Sequence, residues 1–153
     1  MDKSPKKDKK ADSKEDKQKK IEQKYEKSYN KKVEEFKSTK IDALSLLNIL
    51  LDNPPFKSQN LELKQDTFLM VIKTFAKVKP TQLEELVSNL GEDKSVDLLK
   101  YCYKSFELVH KGEEKVIQDV NFQLMLNYLN TTSEIFGSIG IARTGFERGD
   151  LYE

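Results

Sequence analysis

The residue types that carry most protein chemistry are scarce in this chain. Its 153 residues include one cysteine, one histidine and no tryptophan. A single cysteine excludes an internal disulfide, and Cys102 lies among aromatic residues, where a thiol usually packs as a small buried hydrophobe. Cys102 and His110 alone cannot make a zinc site, so we expect no metal and no cofactor. Since no nucleophile–base–acid set is present either, we expect a protein that is not an enzyme and has no catalytic residue.

Long apolar runs are also missing. No segment approaches the roughly 18–20 apolar residues that a membrane-spanning helix needs, so no membrane span is expected. The first ten residues, MDKSPKKDKK, contain no apolar stretch of the kind found in a secretory signal. These observations predict a cytosolic or nuclear protein.

Charge is abundant but unevenly distributed. Charged residues make up 35% of the chain, yet the net charge is only +1. Residues 1–40 hold fifteen lysines against nine acidic residues, a net of +6, whereas residues 41–153 carry a net of −5. We therefore divide the chain into a basic, partly disordered arm at 1–40 and a mildly acidic helical body at 41–153.

The arm changes character along its length. Residues 1 to about 18 offer almost nothing to bury and are expected to be disordered. From about 19 to 38, apolar residues at steps of three and four predict an amphipathic helix with one stripe, Ile21, Tyr25, Tyr29, Val33 and Phe36. Three interpretations stay open: a solvated helix, a helix that packs back on its own domain, and a segment that docks on a partner.

The body is predicted to be all-α. Helices should begin near residues 41, 59, 81, 95, 113 and 133, with breaks at Asn53-Pro54-Pro55, Pro80, Gly91 and Gly112. Capping boxes are predicted at Thr39–Asp42 and Thr81–Glu84, and one helix from Glu113 to Asn130. Glycines at 140, 145 and 149 argue against a long terminal helix. Because the connections are short, we expect a small bundle or α-α superhelix of about six or seven short antiparallel helices with a charged N-terminal arm.

The segment from Ser95 to Lys111 is the predicted central helix, with Ser95 as its N-cap. Apolar side chains cover most of its circumference and leave one narrow polar stripe, Asp97, Lys100, Lys104, Glu107 and Lys111. Such a helix must be covered on two or three sides by other helices or by a partner chain. Leu99, Tyr103 and Phe106 are therefore candidates for either the core or a partner-binding face.

Several short segments occur in an order that resembles a known family. They are Asp52-Asn53-Pro54-Pro55, Lys57-Ser58-Gln59, Val71-Ile72-Lys73-Thr74-Phe75, the run from Val96 to Glu107, and Gly137-Ser138-Ile139. In this order and at these separations they resemble subunit 5 of the actin-related protein 2/3 complex. The resemblance covers residues 42–107 closely and residues 108–139 more loosely.

The resemblance implies a non-enzymatic scaffold subunit of a hetero-oligomer in the cytoplasm and the actin cytoskeleton. In that family the helical body packs against subunit 1, a β-propeller, and subunit 4. The N-terminal arm tethers actin-related protein 2, and here the stripe of the arm would make that contact. The assembled complex nucleates a daughter filament from the side of an existing one, so this chain would meet actin filaments indirectly, and no nucleic acid is expected.

A second hypothesis rests on charge alone. A helical adaptor could use its lysine-rich arm to bind nucleic acid or an anionic membrane. Nine acidic residues interleaved with the lysines count against this hypothesis. Binding of that kind would weaken steeply as salt is added, which makes the two hypotheses separable.

Overall fold

The computed structural model describes residues 5–137 and 151–152, with side chains from Ser13 onward. Within these residues the chain forms six α-helices and no strand, which confirms the all-α prediction. The helices are α1 (Pro5–Lys37), α2 (Ala43–Leu50), α3 (Leu61–Phe75), α4 (Leu83–His110), α5 (Glu114–Ile117) and α6 (Phe122–Phe136), and a 3-10 turn (Pro80–Gln82) precedes α4. The predicted interruptions at glycines 140, 145 and 149 lie outside the described residues.

Two of the helices are longer than predicted. Helix α1 spans 33 residues and begins at Pro5 rather than near residue 19. Helix α4 spans 28 residues and bends at Gly91, whose backbone angles (φ 76°, ψ 177°) are open essentially to glycine alone. The helices predicted to begin near 81 and 95 are therefore two arms of one bent helix. Ser95 is not an N-cap but a buried residue inside α4, and its hydroxyl donates to the Val87 carbonyl at 3.5 Å.

The predicted capping boxes are wrong at both positions. Asp42, not Thr39, is the N-cap of α2, and its side chain makes no capping hydrogen bond. Thr81 lies inside the 3-10 turn, because Pro80 starts that turn one residue earlier. There the backbone N–H of Lys79 donates to the side-chain oxygen of Gln82 at 3.1 Å.

The single helix predicted from Glu113 to Asn130 is also wrong. Helix α5 ends after one turn, and the side chain of Asn121 accepts from the Leu124 N–H at 3.1 Å to start α6. Helix α6 then continues through the predicted boundary near 133 to Phe136. It can do so because the hydroxyls of Thr131 and Thr132 donate to carbonyls one turn earlier and are satisfied inside a helix.

The bent helix α4 forms the centre of the fold. It packs against α2, α3, α5 and α6, so most of its apolar circumference is covered by the chain itself. Tyr128 of α6 is fully buried against Phe75, with ring centroids 5.4 Å apart, and its hydroxyl donates to the Ser95 carbonyl at 2.8 Å. Tyr152 packs on Phe68 at 5.2 Å and closes the other side of the core.

Candidate partner-binding surfaces

Helix α1 packs back on the body instead of standing free. It contacts α2 and α3. Tyr25 is buried, and Tyr29, Val33 and Phe36 are partly buried against the hydrophobic core, while Ile21 is half-buried. The stripe therefore faces its own domain, as in the second of the three interpretations. Binding of a partner by these five residues stays a prediction.

Polar contacts fix the position of α1 along the body. The Glu22 carboxylate accepts from the Ser58 hydroxyl at 2.7 Å and from the Gln59 backbone N–H at 2.6 Å. Burial by itself raises the pKa of Glu22, but the hydrogen bonds from Gln59, Ser58 and Gln18 together with the charge of Lys64 outweigh it. The pKa of Glu22 is consequently lowered, and its charged form is the one that holds α1 in place.

A second polar contact lies two turns further along α1. The Tyr29 hydroxyl donates to the Asp66 carboxylate of α3 at 2.9 Å. Burial, this hydrogen bond and the nearby acidic groups raise the pKa of Tyr29 to about 12, so the phenol remains a donor at neutral pH. Together with Glu22, this contact ties α1 to the N-terminal end of α3 and the loop before it.

The polar stripe of α4 is solvated mainly at its C-terminal end, where the Lys111 side chain is exposed. Lys100 and Lys104 are buried despite their charge. Lys100 pairs with Asp97 at 3.2 Å and lies over the Phe56 ring at 5.0 Å, and Lys104 pairs with Glu107 at 3.4 Å. These pairs satisfy the two buried charges, so Lys100 and Lys104 are part of the packed structure.

The three candidate residues of the central helix divide into two groups. Leu99 is 1% exposed and belongs to the core. Tyr103 and Phe106 are partly exposed, and their rings meet edge to face with centroids 6.3 Å apart. Of these three residues, Tyr103 and Phe106 can therefore contact another molecule, whereas Leu99 cannot.

Residues of α6 extend this exposed region. The Phe122 ring stacks on Phe106 with centroids 5.4 Å apart and planes at 11°. Phe122 is 46% exposed, and Leu126, one turn further along α6, is 47% exposed. We call Tyr103, Phe106, Phe122 and Leu126 the aromatic surface. Phe122 and Leu126 were not identified from the sequence. Their four-residue spacing places them together on one face of α6, outside its buried face, and could have indicated an exposed apolar pair.

Groups that could support chemistry remain apart in the described residues. His110 is exposed at the end of α4, and burial raises the pKa of the Cys102 thiol, which keeps it protonated. In the part of the chain that the structure describes, no three His, Cys, Asp or Glu side chains are grouped to hold a metal ion. None of the described helices is long and apolar enough to cross a membrane.

Comparison with known proteins identifies the same family that the sequence resembles. The chain matches the family described as "ARP2/3 complex 16 kDa subunit (p16-Arc)" over residues 2–148. It is 32% identical over 78 residues to the "Probable actin-related protein 2/3 complex subunit 5" of Caenorhabditis elegans, covering 51% of this chain and 53% of the relative. It is 31% identical over 64 residues to the "Actin-related protein 2/3 complex subunit 5-C" of Xenopus laevis, covering 42% and 43%.

These pairwise matches span about half the length of the relatives or less, whereas the family match runs along nearly the whole chain. The same chain also has an all-α architecture, and its body contains the segments on which the resemblance was based. The chain belongs to the family of the 16 kDa subunit of the ARP2/3 complex.

Proposed function

We propose that this chain is a non-enzymatic scaffold subunit of the actin-nucleating, filament-branching ARP2/3 complex. The observation that carries the proposal is the family match over residues 2–148. Both relatives mentioned above carry the name of subunit 5 of the actin-related protein 2/3 complex, one of them as a probable subunit 5. The chain would then work in the cytoplasm, in the actin cytoskeleton, as part of a hetero-oligomer.

The body supplies a surface suited to packing against neighbouring subunits. The aromatic surface places two stacked rings and an exposed leucine side by side, and exposed apolar patches of this kind commonly mark protein interfaces. Aromatic side chains are enriched at the centres of such interfaces. We propose that this surface contacts subunit 1 or subunit 4.

The arm is proposed to tether actin-related protein 2. The stripe from Tyr25 to Phe36 packs against the body, so binding of a partner by those residues would require α1 to leave the body, whereas the part of α1 that precedes them can reach a partner without that change. Within that part, the side chains of residues 13–17 are all exposed. The Glu22 and Tyr29 contacts would hold the base of the tether on the body while the preceding residues reach the partner.

Recovery of the partners from cells tests the proposal. An affinity-tagged chain should copurify two actin-related proteins and a β-propeller subunit, identified by mass spectrometry. Replacing Phe106 and Phe122 together by alanine should reduce that recovery at least about tenfold, since buried aromatic anchors dominate interface energy. Leu61→Ala is the control, because Leu61 is about as exposed as Phe122 (49% against 46%) but lies on α3 rather than on α4 or α6. Equal loss in the control would contradict the assignment of the surface.

A truncation tests the arm separately. Removing residues 1–20 spares Glu22, Tyr29 and the packed stripe, whereas removing all of residues 1–40 would strip side chains from the core. The shorter truncation should keep the body in the complex and weaken retention of one actin-related protein. Loss of every partner, or of none, would contradict a separate tether.

The same affinity-tagged chain can separate the scaffold hypothesis from the adaptor hypothesis. If the tagged chain recovers no actin-related protein but binds DNA, RNA or anionic vesicles with an affinity that falls steeply with salt, the adaptor hypothesis replaces the scaffold.

A further inference from the structure

A basic cleft lies where α1, α2 and the second arm of α4 meet. Its volume is about 430 Å³, in the range of cavities that hold small molecules. Three lysines line it, Lys31 and Lys32 from α1 and Lys94 from α4, and the lining also includes Ser28 and Ser45. Asp52 is the one acidic residue in the lining, so the cleft carries a net charge of +2 when its lysines are protonated.

Lys32 is the most unusual member of this lining. It is only 2% exposed, and its ammonium donates to the Asn53 carbonyl at 3.3 Å. An ammonium group has three N–H donors. Among the described residues no second acceptor and no paired carboxylate meets it, so a buried charge is left largely uncompensated. Burial lowers the pKa of Lys32 to about 8. The negative charge of Asp52 acts to raise this pKa, and the positive charge of Lys94 lowers it further.

Lys94, which reaches the cleft from α4, is held in place by two hydrogen bonds. Its ammonium donates to the Asn48 carbonyl at 3.1 Å and to the Asn48 side-chain oxygen at 2.5 Å. These bonds fix the charge against α2 without neutralising it, because both acceptors are uncharged. The exposed Lys31 stands beside Lys32 at the rim.

We propose that this cleft binds a phosphate group carried by a small soluble molecule. A phosphate monoester bears a charge of about −1.5 to −2 near neutral pH, which matches the net +2 of the lining. Its tetrahedral oxygens accept hydrogen bonds from several directions, which suits ammonium groups contributed by two different helices, α1 and α4. Lysine is a common ligand of phosphate, acting as a point charge. The bound group would supply the acceptors that Lys32 lacks.

Calorimetric titration of the full-length chain tests the proposal, with inorganic phosphate and pyrophosphate as probes and sodium chloride holding the ionic strength constant. We expect saturable binding of pyrophosphate. Lys32→Met and Lys94→Gln should each weaken it about tenfold or more, the usual effect of removing a charge-assisted hydrogen bond. Lys27→Met is the matched control, because Lys27 is an exposed lysine of α1 outside the cleft, and its effect should stay within about twofold.

Each remaining outcome overturns the proposal. No saturable binding to the wild type, or equal weakening in Lys27→Met, would leave only nonspecific attraction to a basic helix. Binding confined to phosphatidylcholine vesicles that contain phosphatidic acid would replace a soluble molecule with a lipid surface. Tighter binding of a tetraglutamate peptide than of pyrophosphate would replace phosphate with carboxylate. If Lys32→Met fails to fold, the half-buried Lys94 provides the same test through Lys94→Gln.

Discussion

Replacing Phe106 by alanine should impair assembly far more than it impairs folding. Phe106 is partly exposed, and its ring contacts Phe122 at 5.4 Å and Tyr103 at 6.3 Å. An aromatic pair contributes roughly 0.5–1.5 kcal/mol beyond the area it buries. Because part of the Phe106 side chain is already in water, Phe106→Ala should lower the free energy of unfolding of the isolated chain by about 1–2 kcal/mol, less than the roughly 3–5 kcal/mol typical of a fully buried phenylalanine.

Leu99→Ala provides the contrast on the same helix. Leu99 is 1% exposed within the core, and truncation of a fully buried leucine costs about 2–5 kcal/mol. Urea unfolding followed by circular dichroism measures both variants, and an unchanged slope with urea would show that only stability has changed. Recovery of the partner subunits is then measured at a temperature where both variants are folded.

The two variants should rank in opposite order in the two assays. Leu99→Ala should be the less stable variant and still assemble, whereas Phe106→Ala should be the more stable one and lose its partners. If Phe106→Ala costs as much stability as Leu99→Ala, its ring is core. If it assembles normally, the aromatic surface is not an interface.

Three further perturbations test the contacts of α1 and the bend of α4. In the folded chain Lys32 has a pKa of about 8, below its ordinary value, so the unfolded chain binds more protons between about pH 8 and 10.5. The free energy of unfolding of the wild type should therefore rise by roughly 2–3 kcal/mol over that pH range, relative to Lys32→Met. Urea unfolding at a series of pH values measures this difference. Glu22 has a lowered pKa and stabilises the fold when charged, so wild-type stability should fall as pH drops below about 4.5. Glu22→Gln should be less stable at pH 7 and lack that dependence in acid unfolding curves. Gly91→Ala should cost about 1–3 kcal/mol in thermal unfolding through backbone strain alone, because a Cβ there meets open space.

Each of these perturbations has a control and a contradicting result. Lys27→Met, which removes an exposed lysine of the same helix, is the control for Lys32→Met. A difference between wild type and Lys32→Met that does not change with pH would mean that Lys32 is solvated. Glu26→Gln replaces an exposed carboxylate of the same helix, and an equal loss there would indicate a general charge effect. A stability of Gly91→Ala equal to wild type would mean that α4 straightens at no cost.

Local signals in the sequence predicted the helical body well. Prolines at 54, 55 and 80 and the glycine at 91 interrupt the helices where the chain needs a break, because their backbone restrictions act whatever surrounds them. The apolar stripe of α1 was also visible, since its period depends only on helix geometry. The pattern made Leu99, Tyr103 and Phe106 candidates for either the core or a partner-binding face, but it gave no means of separating the buried Leu99 from the two partly exposed rings.

Features that depend on tertiary contacts escaped prediction. The α1 stripe faces its own domain because Glu22 and Tyr29 find partners on distant residues, and nothing local announces Ser58 or Asp66. Lys32 belongs to a run of charge that is typical of a solvated helix, yet the fold buries it. The break at Asn121 was missed because apolar residues continue on both sides of it, and a single capping side chain decides between one helix and two.

The central claim, that this chain is an assembly subunit of an ARP2/3 complex, is tested most directly by the composition of the particle that contains it. Size-exclusion chromatography of a gently lysed cell extract, with mass spectrometry of the fractions that hold the tagged chain, measures that composition. The account predicts elution far above the mass of a 17.8 kDa monomer, together with two actin-related proteins and a β-propeller subunit in constant proportion. Elution of the chain alone, or in a large particle without actin-related proteins, would contradict it.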